Sequence, residues 1–245
     1  QMPYFWILIS LISFKMDTKA ILNTEPIAMK DYLMGRFEPS KHPDFVRIPD
    51  QYSEKKGAFL RKEALEAFIR MYEAALKDNI TLTIVSATRN FDYQKAIWER
   101  KWSELKYKDK LNKQATTDQT KALTILRYSA MPGASRHHWG TDIDLCNLNS
   151  AYFNTKKGKR IYEWLQRYAG QYGFCQTYTS KKNSDRTGYN QEKWHWSYQP
   201  TSRVFTAEAA ILLQDTDFTG FSGCETAPEL QIVKKYILGI NKDCF

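Results

Sequence analysis

Three of the four histidines in this chain fall in two short stretches that also carry carboxylates, Ser135-Arg136-His137-His138-Trp139-Gly140-Thr141-Asp142-Ile143-Asp144 and Glu192-Lys193-Trp194-His195. A fold that uses them must bring together two pieces of backbone far apart in sequence. In the first stretch Gly140 frees the chain to turn. The alternation beyond it puts Asp142 and Asp144 on one face of a strand and Ile143 and Leu145 on the other. In the second, Glu192 and His195 are three apart, which a regular strand would send to opposite faces. They converge only if Glu192 sits in a turn before the strand, and the polar run 183–191, with Gly188 and Asn190, supplies residues for such a turn.

Catalytic zinc takes three protein ligands, usually imidazole nitrogen and carboxylate oxygen, and keeps a fourth position for water. His137, His195 and one aspartate make that set, and because Asp142 and Asp144 share a face, either can complete it. Zinc lowers the pKa of bound water to about 7, and a neighbouring carboxylate takes the proton as the oxygen attacks a carbonyl. Glu192 is placed for that work. The oxyanion that develops needs a positive charge or hydrogen-bond donors, and Arg89, at the end of a predicted strand, is the candidate. Blander readings apply elsewhere. His42 reads as polar surface, His138 points away from a site its neighbour faces, and Trp194 and Trp196 read as core and cleft wall.

The elements around these stretches follow from periodicity. Residues 58–77 carry apolar side chains at three-and-four spacing, which predicts an amphipathic helix. The β-branched run 80–85 is a strand that delivers Ser86-Ala87-Thr88-Arg89 to its end. Asn90 caps a second helix through Tyr93, Ile97, Trp98 and Trp102. The polar stretch 108–120 is a surface excursion before a short helix at 121–128 and a turn at Met131-Pro132-Gly133. A third helix over 159–172 closes at Gly173. Residues 174–178 and 194–198 are strands, the second stopped by Pro200, and 207–213 and 229–238 are helical. Strands of alternating pattern separated by helices predict an α+β fold, a mainly antiparallel sheet flanked by helices.

With 245 residues and no long linker or internal repeat, one domain over residues 21–245 is expected, preceded by an apolar segment at 1–20. The formal charge of +9 favours polyanions such as cell-wall polymers, nucleic acid or anionic lipid. The basic residues are scattered and accompany no helix-turn-helix or RNP-like motif, so no nucleic-acid partner is expected. Residues 4–14 are too few to span a bilayer, which takes about twenty. They suit the apolar part of a secretory signal, although the chain begins with Gln and no basic segment precedes them, as if its true start lay upstream. Export, or membrane association through this segment alone, is the expectation. Cys146, Cys175, Cys224 and Cys244 show no CxxC spacing. Cys224 and Cys244 bracket a short helical stretch and are the expected bridge in an oxidising compartment, with Cys146 and Cys175 buried as free thiols.

The site residues resemble those of the VanY-like D-alanyl-D-alanine carboxypeptidases, within the wider group of lysostaphin-type peptidases and the sonic hedgehog signalling domain. Ser135, His137, Gly140 and Asp144 match one family pattern, Glu192, Trp194 and His195 a second, and Ser86, Arg89 and Gln94 a third, in the right order. These motifs run from Ser86 to the strand at 194–198, and a weaker likeness extends from about residue 21 to the C-terminus. The resemblance implies one zinc ion (Zn2+) per chain on His137, Asp144 and His195, Glu192 as general base and acid, Arg89 on the substrate carbonyl, and Ser135 and Gln94 positioning the peptide end. It implies a periplasmic or cell-envelope enzyme of a bacterium that removes terminal D-alanine from peptidoglycan stem peptides. The same chemistry also serves an L,D-carboxypeptidase or an endopeptidase, and a non-catalytic zinc-containing binding module is the alternative of another class. Asp142 departs from the pattern, since many relatives carry a small residue there, and it either tightens metal binding or hydrogen-bonds to a neighbour.

Overall fold

The computed structural model of the chain describes residues 27–112, 116–182 and 184–245, so the apolar stretch 4–14 and the expectation attached to it lie outside the described residues. After α1 (Met29–Leu33), β1 (Phe45–Arg47) pairs antiparallel with β2 (Phe59–Arg61), and α2 (Lys62–Lys77) follows without a break. Then come β3 (Ile84–Ser86), α3 (Phe91–Asn112), α4 (Asp118–Ile125), a 3-10 turn at Arg136–Trp139, and β4 (Asp142–Leu145). The rest of the chain holds α5 (Lys156–Tyr168), β5 (Phe174–Gln176), β6 (His195–Tyr198), α6 (Gln199–Leu212) and α7 (Ala227–Leu230), then a π-helical turn at Val233–Ile237 and a 3-10 turn at Lys242–Cys244. The main sheet has the order β3-β4-β6-β5 and is antiparallel throughout. This is the expected α+β architecture.

Strand alternation gives the sheet two different faces. Ile84, Ile143, Leu145, Phe174 and Trp196 pack on one side against the apolar stripe of α2, with Leu65, Phe68 and Met71, and against Ile161 and Leu165 of α5. Each large apolar side chain buried this way stabilises the fold by roughly 1.5–3 kcal/mol. A second cluster gathers α1, α3, α4, α6 and the C-terminal turns around Trp98, Trp102, Trp139, Phe205 and Phe218. Asp142, Asp144, His195 and Ser197, all buried, alternate with the core residues of β4 and β6 and face the other way.

Element boundaries differ from the periodic reading where tertiary pairing intervenes. Residues 59–61 leave the predicted helix to pair with β1, so α2 starts at Lys62. Of the run 80–85 only the end finds a ladder partner, and β3 extends through Ser86 opposite Asp144. The predicted surface excursion is mostly helix, because α3 continues to Asn112 and α4 begins early, capped by the Thr117 hydroxyl accepting from the Thr120 N–H. Pro200 starts α6, in the first turn, where its missing N–H costs nothing. Asn90 caps α3 as expected, its Oδ1 accepting from the Tyr93 N–H at 2.9 Å.

The expected Cys224–Cys244 bridge is overturned, while Cys146 is free as expected. Cys175 and Cys244 form the disulfide, with Cα atoms 5.6 Å apart, and Cys146 and Cys224 are free and half-buried. The cause is the path of the C-terminus, which returns to the edge strand β5. There Asn241 donates its backbone N–H to Thr177 O at 2.9 Å and its side-chain amide to Gln176 O at 3.2 Å, setting Cys244 on Cys175. Among the described residues no helix is long and apolar enough to cross a membrane.

Candidate metal centre

The register of β4 and β6 does most of the assembly. Asp144 lies directly opposite His195, and Asp142 directly opposite Ser197, so all four side chains share one face. Glu192 stands outside β6 in the turn before it, its backbone N–H donating to Tyr178 O at 2.9 Å. The three-residue spacing that a strand would have split is thereby folded back. Glu192 Oε2 sits 3.4 Å from His195 Nδ1.

His137 arrives from the 3-10 turn, which Gly140 ends in the left-handed region at φ 71°, a conformation that favours glycine. Its Nδ1 lies 2.9 Å from Ala87 O, and since a carbonyl only accepts, Nδ1 carries the proton and Nε2 presents a lone pair. That Nε2 is 3.2 Å from Asp144 Oδ2, and His195 Nδ1 is 3.2 Å from Asp144 Oδ1. On its far side His195 meets Asp142 through Nε2, at 2.8 Å. One ligand atom from each of His137, Asp144 and His195 lies within 4.8 Å of the others, all three residues buried.

These residues fit a metal ion on their own chemistry. His137 Nε2 and Asp144 Oδ1 are buried without a hydrogen-bond partner, because the 3.2 Å approaches lack hydrogen-bond geometry. Orphaned acceptors and buried carboxylates are costly unless a cation joins them. Two imidazoles and a carboxylate are also the donor set of catalytic zinc. Without the ion the two rings diverge. Burial and the Arg89 charge hold His137 below the ordinary histidine range, whereas for His195 burial is outweighed by the hydrogen bond to Asp142 and the adjacent Asp144 and Glu192 carboxylates, which raise it well above that range. Burial likewise opposes charge on Asp144, but the two imidazoles overcome it and hold its carboxyl below the usual range. Glu192 is pushed up by burial.

The centre forms one wall of a cavity of about 560 Å³ that Arg89, Ser135 and Glu192 also line. Arg89 Nε is buried without a partner. Gln94 does not line this cavity: it is buried at the start of α3, donating to Ala130 O at 2.8 Å, and so braces the wall from behind. His138 commits both ring nitrogens to backbone, Nδ1 to Arg89 O at 2.6 Å and Nε2 accepting from the Gly133 N–H at 3.1 Å, and burial pushes its pKa down to about 3. His42 is no plain surface residue, since its ring packs among Tyr32, Phe37 and Phe45.

Other cavity residues escaped sequence reasoning. Arg100 and Lys101 follow Tyr93 and Ile97 at helical spacing on the same face of α3, so the period that predicted the helix already implied them. Lys101 donates to the Ser129 hydroxyl. Tyr178 packs its ring 4.6 Å from that of His195, and the buried Tyr189 hydroxyl has no partner. Both are brought in by tertiary packing, and no local pattern announces them.

The VanY family, described as D-alanyl-D-alanine carboxypeptidase, matches residues 57–201. YodJ of Bacillus subtilis (strain 168), a protein named as a carboxypeptidase, is 33% identical over 208 residues, covering 80% of this chain. The chain spans only 65% of the length of that relative. Among solved structures, the LdcB LD-carboxypeptidase is similar with a TM-score of 0.51 and 27% identity, over 71% of this chain and 76% of that one. The vancomycin resistance D,D-pentapeptidase VanY from a VanB-type cassette, solved in complex with Zn(II), gives a TM-score of 0.46 at 22% identity, over 65% of this chain and 88% of that one. The family match takes in more than half of the chain and every side chain of the His137, Asp144, His195 and Glu192 constellation, and the protein therefore belongs to the VanY family of D-alanyl-D-alanine carboxypeptidases.

Proposed function

We propose that this chain is a zinc-dependent D,D-carboxypeptidase that removes the terminal D-alanine from peptidoglycan stem peptides. The observation that carries this reading is the convergence of His137 Nε2, Asp144 and His195 Nδ1 on one point of a cavity wall, with the Glu192 carboxylate beside them. A zinc ion there would supply Lewis acidity, polarising a carbonyl and acidifying a water molecule. Glu192 takes the proton of the attacking water and returns it to the leaving amine, work that suits a carboxyl whose pKa burial has raised. Arg89, lining the same cavity with its Nε unpartnered, faces the negative charge that develops on the carbonyl oxygen. Lys55, Arg100 and Lys101 make the cavity rim cationic, which favours a peptide ending in a free carboxylate.

A second reading, an L,D-carboxypeptidase with the same machinery, is supported by the likeness to the LdcB LD-carboxypeptidase. The two differ in the stereochemistry of the residue before the scissile bond, so the products separate them. Incubated with stem pentapeptide and tetrapeptide and followed by mass spectrometry, the protein is expected to shorten the pentapeptide by one alanine; exclusive cleavage of the tetrapeptide would establish the L,D reading instead. Action in the cell envelope, where such peptides occur, is part of the proposal, and the Cys175–Cys244 bridge supports it because disulfides persist in oxidising compartments. Glu192→Ala is expected to keep its zinc and lose turnover, and persistent activity would remove Glu192 from its role.

A further inference from the structure

Asp142 is the residue where the chain departs from the pattern it otherwise follows, and its surroundings give it a task. Both carboxylate oxygens are saturated. Oδ1 accepts from the Ser197 hydroxyl at 2.6 Å and the Thr141 hydroxyl at 2.8 Å, while Oδ2 meets His195 Nε2 at 2.8 Å and Arg136 Nε at 3.2 Å. Arg136 is fully buried as well, donating also to the Thr206 hydroxyl at 2.8 Å and to Ser197 Oγ at 3.2 Å, with its guanidinium 4.4 Å over the Trp139 ring. The network ties the 3-10 turn that carries His137 to β4, β6 and α6, the elements around the metal centre.

We propose that Asp142 is a positioning residue for His195, fixing the ring so that Nδ1 faces the metal, and that Arg136 is the counter-charge that lets a second carboxylate sit there without becoming a ligand. This rests on the metal-centre reading given above. An imidazole that donates Nε2–H to a fixed carboxylate has its ring rotation and tautomer set together, and outer partners of this kind typically govern metal affinity by 10–100-fold. A small residue at 142 leaves the ring held only by packing. Without Arg136, the Asp142 carboxylate would be a buried anion beside a cation site and would compete for the ion. With it, the pair adds no net charge, and the fixed network commits both Asp142 oxygens away from the site. The sequence carries both halves of the device in one short segment, Arg136 and Asp142 flanking the ligand His137 and Gly140.

The test is zinc affinity, measured on folded protein by competition with a chelator, together with the visible spectrum of the cobalt-substituted form. Asp142→Ala strands a buried guanidinium and can fail by unfolding. The double variant Arg136→Met with Asp142→Ala, which removes both charges while keeping much of the arginine's volume, holds the inference open to refutation. A folded double variant is expected to bind zinc about 10–100-fold more weakly than the native chain and to show altered cobalt bands. Asp142→Asn, which keeps an acceptor for Nε2–H, is expected to fall between. Native zinc affinity and an unchanged cobalt spectrum in the double variant would overturn the inference while leaving the metal centre standing. Failure of the native chain itself to bind zinc would instead overturn the reading on which it depends.

Discussion

At the scale of single residues, the two candidate imidazole ligands behave differently before a metal arrives, and this has a measurable consequence. His195 holds a proton above the ordinary histidine range because burial is outweighed by its hydrogen bond to Asp142 and by the Asp144 and Glu192 carboxylates beside it. On the proposed function, zinc binding through Nδ1 would release that proton. Apparent zinc affinity is therefore expected to rise about tenfold per pH unit from mildly acidic pH until the pH passes the raised value, which an isothermal titration in buffers of different ionisation enthalpy would measure. The sign for the metal-free fold is opposite. A histidine whose folded pKa exceeds its unfolded one stabilises fully below the unfolded value, about 6.5, and that stabilisation is lost as pH rises through the folded value. Metal-free protein should accordingly melt earlier on the alkaline side. Arg89→Ala is expected to lower kcat/KM by roughly 10²–10³-fold with zinc content unchanged, in line with loss of an oxyanion donor; unchanged kcat/KM would remove Arg89 from the reacting centre. The convergence of His137, Asp144, His195 and Glu192 was legible because few residue types can do this chemistry and their spacing is informative. Gln94 was not, since whether a buried amide faces a cavity or the wall behind it depends on packing that no local spacing encodes.

At the scale of elements, what the sequence conveyed was mostly type and order, and what it lacked was termini. The alternation of 142–145 and the need for a turn before His195 both follow from the period of a strand, and the structure has both. The helix predicted from residue 58 loses its first turn because residues 59–61 have a partner strand more than ten residues upstream, a non-local competitor that periodicity cannot weigh. Gly140 shows how much one backbone position matters to the site. A side chain there would face a strained positive φ and run into the Phe45 ring. Gly140→Ala is expected to destabilise the fold by about 1–3 kcal/mol and to weaken zinc binding by displacing the turn that carries His137, which denaturant melts and chelator competition would register. The disulfide was invisible for a similar reason, since four cysteines without a motif allow several pairings and only the return of the C-terminus to β5 selects one. Its partners are 69 residues apart, so Cys244→Ser is expected to cost on the order of 4 kcal/mol, whereas Cys224→Ser, which breaks no bridge, should cost no more than about 1 kcal/mol.

Across the whole molecule, the sheet divides the labour. One face is apolar and carries α2 and α5, so β4 and β6 are rigidly seated; the other face collects the polar residues that the apolar side cannot accommodate. A cross-strand pair on a buried sheet is a stiff platform, and two of the three candidate ligands sit opposite each other on it, with only His137 depending on a turn. This is why the candidate metal centre, rather than the general basic charge of the chain, is the feature on which the proposed function rests. Its most direct test is stepwise addition of zinc to metal-free protein while release of the terminal residue from a stem peptide is followed. The expected result is no turnover before the first addition, a linear rise, and a plateau at one zinc per chain. Full turnover in chelator-treated protein, or a plateau that bears no relation to one equivalent, would contradict the assignment of His137, Asp144 and His195 to a single catalytic ion.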